Sequence, residues 1–118
     1  MGGGGSAGAV NAAIINMTKA FSLDLAKDGI TVNAVHPGGP SDSDHEPLRL
    51  AERAHERGIT IEEAAAEAAR NVPPIGRRVV SADAANLVLF LASKQAEVIT
   101  GETFAIDVAG ERNRTVVY

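Results

Sequence analysis

Three sets of residues in this chain could do chemistry. The first set is the carboxylates Glu62, Glu63 and Glu67, which are close enough in sequence to serve as an acid and a base. They follow Thr60, however, in the Thr-x-x-Glu order of a capping box. The sequence therefore predicts that these carboxylates lie on a solvated helix face and are not catalytic.

Histidines form the second set. His45-Glu46 and His55-Glu56 begin like the His-Glu-x-x-His zinc motif, but neither has a second histidine four residues after the first. We therefore predict no metal site. His36 precedes a Pro-Gly turn at the carboxyl end of a predicted strand, which is where α/β proteins bind ligands. A substrate contact and an ordinary hydrogen bond are both open for it, and the hydrogen bond is favoured.

Glycines form the third set. Gly3-x-Gly5-x-x-Gly8 fits the dinucleotide-binding pattern, and Asp24 follows at roughly the distance expected for the acid that binds the ribose. That pattern requires a strand before the first glycine, and the sequence predicts none. Residues 1–10 are therefore expected to form a flexible leader and not a cofactor-binding turn.

Composition limits the class of protein. The chain has 118 residues, of which 45% are hydrophobic and 22% charged, as in one domain of a soluble protein. It contains no cysteine, which excludes disulfides and thiolate sites. The net charge of −4 and the absence of a basic stripe argue against a nucleic-acid partner, and no apolar run is long enough to span a membrane. We expect a soluble, cytoplasmic protein.

Hydrophobic periodicity predicts the elements that would position these residues. The predicted helices are 11–27, 46–57, 61–70 and 82–93, and the predicted strands are 30–35 and 103–108. Gly29 is expected as a left-handed C-cap, and Ser81 as an N-cap. Two strands are few for a sheet, and the first and last helices are apolar on more than one side. The pattern therefore predicts an α/β fold that forms part of a larger parallel sheet.

Six motifs, in order, resemble those of the short-chain dehydrogenases/reductases. They are Asn11-Ala12-Ala13-Ile14, Asn33-Ala34-Val35-His36-Pro37-Gly38, Pro74-Ile75-Gly76-Arg77, Ala82-Asp83-Ala84-Ala85, Leu89-Phe90-Leu91-Ala92-Ser93, and Ile99-Thr100-Gly101-Glu102 with Ile106-Asp107. The resemblance implies the C-terminal half of a Rossmann-like doubly wound parallel sheet, with two strands and about four helices. It divides the chain into a leader 1–10, a partial domain 11–110 and a tail 111–118.

The resemblance also implies which residues would be catalytic. The family transfers a hydride between NAD or NADP and a carbonyl or alcohol, with a Tyr-x-x-x-Lys pair as its proton donor. The matching motif puts Ala7 at the tyrosine position and Asn11 at the lysine position. Alanine has no proton to donate, and asparagine has no charge to lower a neighbouring pKa. Some relatives with asparagine at the lysine position have their tyrosine farther upstream, and the nearest such position here is Gly4. Because Gly4 is not a tyrosine and Tyr118 lies at the far end of the chain, we assign no catalytic residue.

The resemblance implies that Pro37, Gly38 and Gly39 face the nicotinamide cofactor. Pro40 stands where the family usually offers a backbone N–H, and proline has none. Asp42 stands where a threonine usually faces the cofactor, and its carboxylate would repel a pyrophosphate. We therefore expect that the chain alone is not catalytically competent and that its binding of NAD or NADP is impaired.

Two functions remain open at this point. The first is the C-terminal half of an NAD(P)-dependent oxidoreductase, inactive alone. The second is a non-catalytic interaction module that forms a homo-oligomer or associates through helices 11–27 and 82–93. Arg77 and Arg78 could hold an anion, but the resemblance implies a structural hydrogen bond at Arg77, buried or at an interface.

Overall fold

The computed structural model describes the backbone of residues 4–108 and the side chains of residues 8–108. Its elements are α1 Gly4–Leu25, β1 Ala34–Pro37, α2 Glu46–Arg57, α3 Ile61–Arg70, α4 Ser81–Leu91 and β2 Thr103–Ile106. Short 3-10 turns follow α1 and α4. Gly3, the side chain of Ala7 and the predicted tail 111–118 with Tyr118 lie outside the described residues. Within them, no helix is long and apolar enough to cross a membrane.

β1 and β2 pair as a two-stranded parallel sheet. The Ala34 N–H donates to the Glu102 carbonyl at 2.9 Å, and further along the Gly38 N–H donates to the Ile106 carbonyl at 2.7 Å. Both strands therefore run in the same direction. The predicted α/β class, with two strands and four α-helices over residues 4–108, is confirmed.

The chain divides into two compact units. Unit 1 comprises residues 1–36 and 85–105, which include α1, most of α4 and most of both strands. Unit 2 comprises residues 37–84 and 106–118, which include α2, α3 and the turn after β1.

Unit 1 packs α1 through its small polar side chains. Thr18 is 7% exposed and Ser22 is 2% exposed. Their hydroxyls donate to carbonyls of the same helix, those of Ile14 at 2.9 Å and Lys19 at 2.8 Å, so neither is buried without a partner. A Cβ at Gly101 would lie 2.5 Å from the Ser22 Oγ. The polar side of α1 therefore approaches the segment before β2 as closely as a glycine allows.

Side chains fix the register of β1 in unit 1. The Asn33 Nδ2 donates to the Ile99 carbonyl at 2.8 Å, and its Oδ1 accepts the Glu102 N–H at 3.2 Å. The Val32 N–H donates to the Thr100 hydroxyl at 3.0 Å and not to a carbonyl. Because this side-chain bond replaces a ladder bond, the regular strand begins at Ala34, later than the predicted start at residue 30.

Unit 2 is built around two alanine-rich helices. α2 has the predicted bounds with Pro47 in its first turn, and Gly58 ends it with φ 65°. α3 begins on the predicted capping box: the Glu63 N–H donates to the Thr60 Oγ1 at 3.1 Å, and the Thr60 N–H donates to the Glu63 Oε2 at 2.8 Å. The buried apolar residues of this unit are Ala54, Ala64, Ala68 and Val79.

Two helix starts differ from the prediction. α1 begins at Gly4 and not at Asn11. Extending a formed helix costs much less than nucleating one, and Ala7 and Ala9, which have the highest helix propensity, favour the extension despite the glycines. α4 begins at Ser81, which is its first residue and not its N-cap. The division of the chain at residues 10 and 110 stays a prediction.

Candidate functional site

The candidate site is the turn Pro37–Pro40, which follows β1 in unit 2. Gly38 is buried, and its N–H donates to the Ile106 carbonyl at 2.7 Å. A Cβ at Gly38 would lie 3.1 Å from the Asp107 Cα and 3.2 Å from the Ile106 oxygen. Any larger residue would push the turn away from β2, which explains the glycine at this position.

Arg49 of α2 contacts the other side of the turn. Its Nη2 donates to the Pro40 carbonyl at 2.5 Å and to the Glu46 Oε2 at 2.6 Å. A Cβ at Gly39 would lie 1.4 Å from the Arg49 Nη1, so the guanidinium occupies the space that glycine leaves. The Arg49 Nε is buried without a hydrogen-bond partner among the described residues. Such a donor costs about 1–3 kcal/mol, which the other contacts of the guanidinium must offset.

Glu46 links Arg49 to the segment before α4. The Arg78 Nη2 lies 2.6 Å from the Glu46 Oε1, while Arg49 takes the other carboxylate oxygen. On the same segment, the Val79 carbonyl accepts the Ser41 N–H at 2.9 Å and the Ser41 hydroxyl at 3.1 Å. The residues on both sides of the turn are therefore tied to α2 and to the segment before α4.

Asp42 caps α4. Its Oδ1 accepts the Ser81 N–H at 2.8 Å and the Ser81 hydroxyl at 2.9 Å. The hydrogen bond from the Ser81 N–H, followed by that from the hydroxyl, lowers the pKa of Asp42. A carboxylate at the first turn of a helix is also favoured by the helix dipole. The resemblance implies that Asp42 stands where a threonine usually faces the cofactor; in the structure its carboxylate binds Ser81.

Arg77 forms a two-point pair with Asp83. Its Nη1 donates to Oδ2 and its Nη2 donates to Oδ1, both at 2.7 Å. Asp83 Oδ2 also accepts the Val80 N–H at 2.9 Å. The hydrogen bonds from Arg77, and then that from Val80, lower the pKa of Asp83 to about 2, while Asp83 raises the pKa of Arg77. The predicted structural hydrogen bond of Arg77 is confirmed, but the pair lies at the surface and is not buried.

The other predicted positions lie elsewhere. Asn11 is exposed on α1, and the backbone of Ala7 lies one turn earlier in the same helix. His36 is half-buried in β1. Among the carboxylates predicted on a solvated helix face, Glu62 and Glu63 are exposed, with Glu63 in the capping box, whereas Glu67 is half-buried and pairs with Arg57. In residues 8–108, no three side chains of metal-binding type cluster.

Comparison with known proteins identifies the family. A family model described as Enoyl-(Acyl carrier protein) reductase matches residues 1–108. The chain belongs to the short-chain dehydrogenase/reductase family. Members of this family are NAD(P)-dependent oxidoreductases. The order of the matched elements also confirms the predicted fold, the C-terminal half of a Rossmann-like parallel sheet.

Its relatives in the family are longer proteins. Galactitol 2-dehydrogenase of Agrobacterium fabrum is 38% identical over 99 residues, covering 84% of this chain and 38% of that enzyme. The 3-oxoacyl-(acyl-carrier-protein) reductase FabG of Rickettsia felis is 37% identical, covering 84% and 36%. An actinorhodin polyketide ketoreductase solved with NADPH superimposes with a TM-score of 0.76 at 30% identity, covering 87% and 39%. The chain therefore spans less than two fifths of the length of these relatives.

Sequence reasoning found the turn but missed Arg49. The Pro-Gly sequence at the end of a predicted strand predicts the turn, and the family resemblance implies the cofactor role of Pro37, Gly38 and Gly39. Arg49 lies in the first turn of α2, in a helix rich in charged residues, and its contact with Gly39 bridges ten positions of chain. The one available signal was the second glycine of the turn, since a glycine often marks a close approach of another group.

Proposed function

We propose that this chain forms the C-terminal half of an NAD(P)-dependent oxidoreductase domain. The complete domain would transfer a hydride between the nicotinamide cofactor and a carbonyl or alcohol. The observation that carries the proposal is the turn Pro37–Pro40, which follows β1 at its carboxyl end, where parallel sheets of this type bind ligands. We assign Pro37, Gly38 and Gly39 as contacts to the cofactor.

The geometry of the turn supports this assignment. Gly38 is fixed against β2 by its hydrogen bond to Ile106, and Ser41 is fixed by its hydrogen bond to Val79. A turn that is already held at both ends can receive a planar ring without a large ordering cost. The NADPH that accompanies the polyketide ketoreductase supports a nicotinamide cofactor, and the proposal covers both NAD and NADP.

The exposed side of α1 supports a role as part of a larger domain. Val10, Ile14, Met17 and Phe21 recur every three or four residues and are 47–59% exposed, while Thr18 and Ser22 of the same helix are buried. We name these four residues the apolar stripe of α1. Fully burying one large apolar side chain is worth about 1.5–3 kcal/mol. The remaining part of a Rossmann domain would gain this stabilisation by packing on the stripe.

A cavity in the same unit supports the same role. It has a volume of about 270 Å³ and opens beside β1. It is lined by Thr31, Asn33, Val35, Val88, Leu91 and Ala92. Thr31, Asn33 and Val35 alternate along the segment that leads into β1, so one face of this segment and of the start of β1 is left uncovered in unit 1. A complete sheet with helices on both faces would cover it.

The chain would not supply the proton donor of the reaction. Ala7 and Asn11 occupy the tyrosine and lysine positions of the family motif, and neither side chain can protonate an alkoxide. We therefore propose that the partial domain 11–110 binds and positions the cofactor and that the chain is inactive alone. The leader 1–10, the tail 111–118, a small-molecule substrate, the lack of a nucleic-acid or membrane partner, and a cytoplasmic location stay predictions.

The second candidate is a non-catalytic interaction module. It is favoured by α4, whose Val88, Leu89 and Phe90 are 51%, 69% and 43% exposed in unit 1. Together with the apolar stripe of α1, these side chains would form a homo-oligomer through the helices 11–27 and 82–93.

One experiment separates the two functions. The chain is mixed with the first half of a family member, expressed separately, and the mass of the complex and the binding of NADH and NADPH are measured. The half-domain function predicts a one-to-one complex that binds a nicotinamide cofactor with sub-millimolar affinity, while the chain alone does not. A homo-oligomer that ignores the added half supports the interaction module. A stable monomer that forms no complex contradicts both functions.

A further inference from the structure

We propose that Arg49 is a positioning residue for the cofactor turn. Its guanidinium lies against the Cα of Gly39 and donates to the Pro40 carbonyl, so it holds the tip of the turn in one conformation. This inference rests on the proposed function, because it concerns how the site assigned to the cofactor is held in place.

The tip of the turn needs a constraint from outside. Gly38 and Ser41 at its two ends are fixed by backbone hydrogen bonds to Ile106 and Val79. Between them, Gly39 is the residue type with the greatest backbone freedom. Pro40 has no N–H with which to fix the tip itself. The Pro40 carbonyl accepts the Ser43 N–H at a long 3.4 Å and the Arg49 Nη2 at 2.5 Å, so Arg49 supplies the shorter of its two hydrogen bonds.

Arg49 is itself held by a polar cluster. Besides the Pro40 carbonyl, its Nη2 contacts the Glu46 Oε2 at 2.6 Å and the Ser43 Oγ at 3.3 Å. Glu46 is 14% exposed at its side chain and also binds Arg78. These three acceptors all lie at the one Nη2, while Nη1 lies against Gly39. A lysine ends in a single nitrogen, so it can bind the acceptors but cannot fill the space over Gly39 at the same time.

Gly39 and Arg49 are therefore predicted to depend on each other. A Cβ at position 39 would lie 1.4 Å from the Arg49 Nη1, so an alanine there must displace the guanidinium. The substitutions Gly39→Ala and Arg49→Ala should for this reason be strongly non-additive, because either one alone breaks the same contact.

Amide hydrogen exchange of the full chain tests the contact. In Arg49→Ala, the Gly38 and Ser41 amides should exchange about tenfold faster, because a charge-assisted hydrogen bond that restrains the turn is lost. The Ala64 amide, bonded to the Thr60 carbonyl in α3, should be unchanged. Arg53→Ala on the same helix is the matched control, since Arg53 is exposed and takes part in none of the hydrogen bonds and ion pairs given above for this cluster. Unchanged exchange at Gly38 and Ser41 in Arg49→Ala overturns the inference.

Two further variants separate positioning from general stability. Arg49→Lys keeps a charge for Glu46, so its melting temperature should stay near that of the parent chain while the exchange of Gly38 and Ser41 is still accelerated. Gly39→Ala should accelerate the same amides as Arg49→Ala, and the double variant should be no faster than either. Additive effects in the double variant contradict the contact between the two residues.

Cofactor affinity then tests the consequence. In the complex of the chain with the first half of a family member, Arg49→Ala and Arg49→Lys should each weaken NADPH binding by about tenfold, and Arg53→Ala by less than about twofold. Equal affinity in all four proteins overturns the positioning role. If the parent complex binds no nicotinamide cofactor, the proposed function fails, and the exchange rates alone then decide whether Arg49 holds the turn.

Discussion

Unit 2 buries alanines and surrounds its turn with hydrogen bonds, whereas unit 1 buries hydroxyls and exposes the apolar stripe of α1. In unit 2, Ala54, Ala64 and Ala68 are buried, and Asp42, Glu46 and Arg49 each have partners within the unit. In unit 1, Thr18 and Ser22 are buried while Phe21 is 47% exposed. Unit 1 also buries Ala96 and pairs its buried hydroxyls, so the difference between the units lies in the large apolar side chains of α1, which are exposed.

This difference indicates which surface of the chain would contact a partner. A helix normally turns its apolar stripe towards the core and its polar side to solvent. In α1 the apolar stripe is exposed and the side that carries Thr18 and Ser22 is buried. These side chains are small, so this side can approach Gly101 closely. The exposed apolar residues of unit 2, such as Leu48 and Ile61, are single side chains that need no explanation. The partner surface is therefore predicted on unit 1.

The largest expected effect comes from placing charges on the apolar stripe. Ile14→Glu with Phe21→Glu should weaken association, with a first-half segment or with itself, by about a hundredfold or more, because two large side chains lose their burial. The stability of the chain itself should change by less than about 0.5 kcal/mol, since both positions are exposed in it. Sedimentation velocity measures the association, and denaturant titration measures the stability.

Leu48→Glu is the control for that pair. Leu48 is 61% exposed in unit 2, so the substitution adds a charge to an exposed apolar position outside the predicted partner surface. It should leave association unchanged. If Leu48→Glu weakens association as much as the double variant, the contrast between the two units is wrong.

The second prediction concerns the close packing of α1 in unit 1. Gly101→Ala should destabilise the chain by about 2–4 kcal/mol, because φ is +76° and the new Cβ would lie 2.5 Å from the Ser22 Oγ. Gly29 has a similar φ of +70°, but no atom lies within 4 Å of a Cβ there. Gly29→Ala should therefore cost only about 1 kcal/mol of backbone strain. Equal losses in urea titrations would show that α1 does not pack on Gly101.

Local rules of sequence predicted most of unit 2 and the class of the fold. The bounds of α2 and the Thr60–Glu63 capping box were predicted because each depends on residues within one helical turn. The later start of β1 could not be predicted, because it depends on a hydrogen bond from Val32 to Thr100, far along the chain. The start of α1 depends on the balance between glycine entropy and helix extension, which composition alone does not settle.

The candidate site shows the same limit. The Pro37–Gly39 turn was indicated by a local sequence pattern, and its assignment to a cofactor stays a proposal. The role of Asp42 as a cap on Ser81 connects positions 39 residues apart. The contact between Arg49 and Gly39 likewise requires α2 to lie beside the turn. Contacts between elements are decided by packing, and a single sequence gives no direct signal of packing.

The third prediction tests how far unit 2 depends on its own caps. Thr60→Ala should destabilise the chain by about 1 kcal/mol, because the Glu63 N–H loses its acceptor. Glu62→Ala is the matched control in the same helical turn, since Glu62 is outside the capping box. Thermal unfolding should show the larger loss for Thr60→Ala. A loss for Glu62→Ala as large as that for Thr60→Ala would mean that the box itself does not stabilise α3.

The smallest expected effect is the pH dependence of the surface pair between Asp83 and Arg77. The pKa of Asp83 is lowered from 3.8 to about 2 in the folded chain, so its ionised form stabilises the fold above pH 4. This contribution is lost as the pH falls from about 4 to about 2, because the carboxylate becomes protonated in the folded state as well. Asp83→Asn should therefore be less stable than the parent at pH 7, with the difference shrinking over that range. Asp44→Asn, which removes an exposed carboxylate outside this pair, should show no such convergence in urea titrations at pH 7, 4 and 2. A constant difference between Asp83→Asn and the parent would mean that the pair does not contribute to the stability of unit 2.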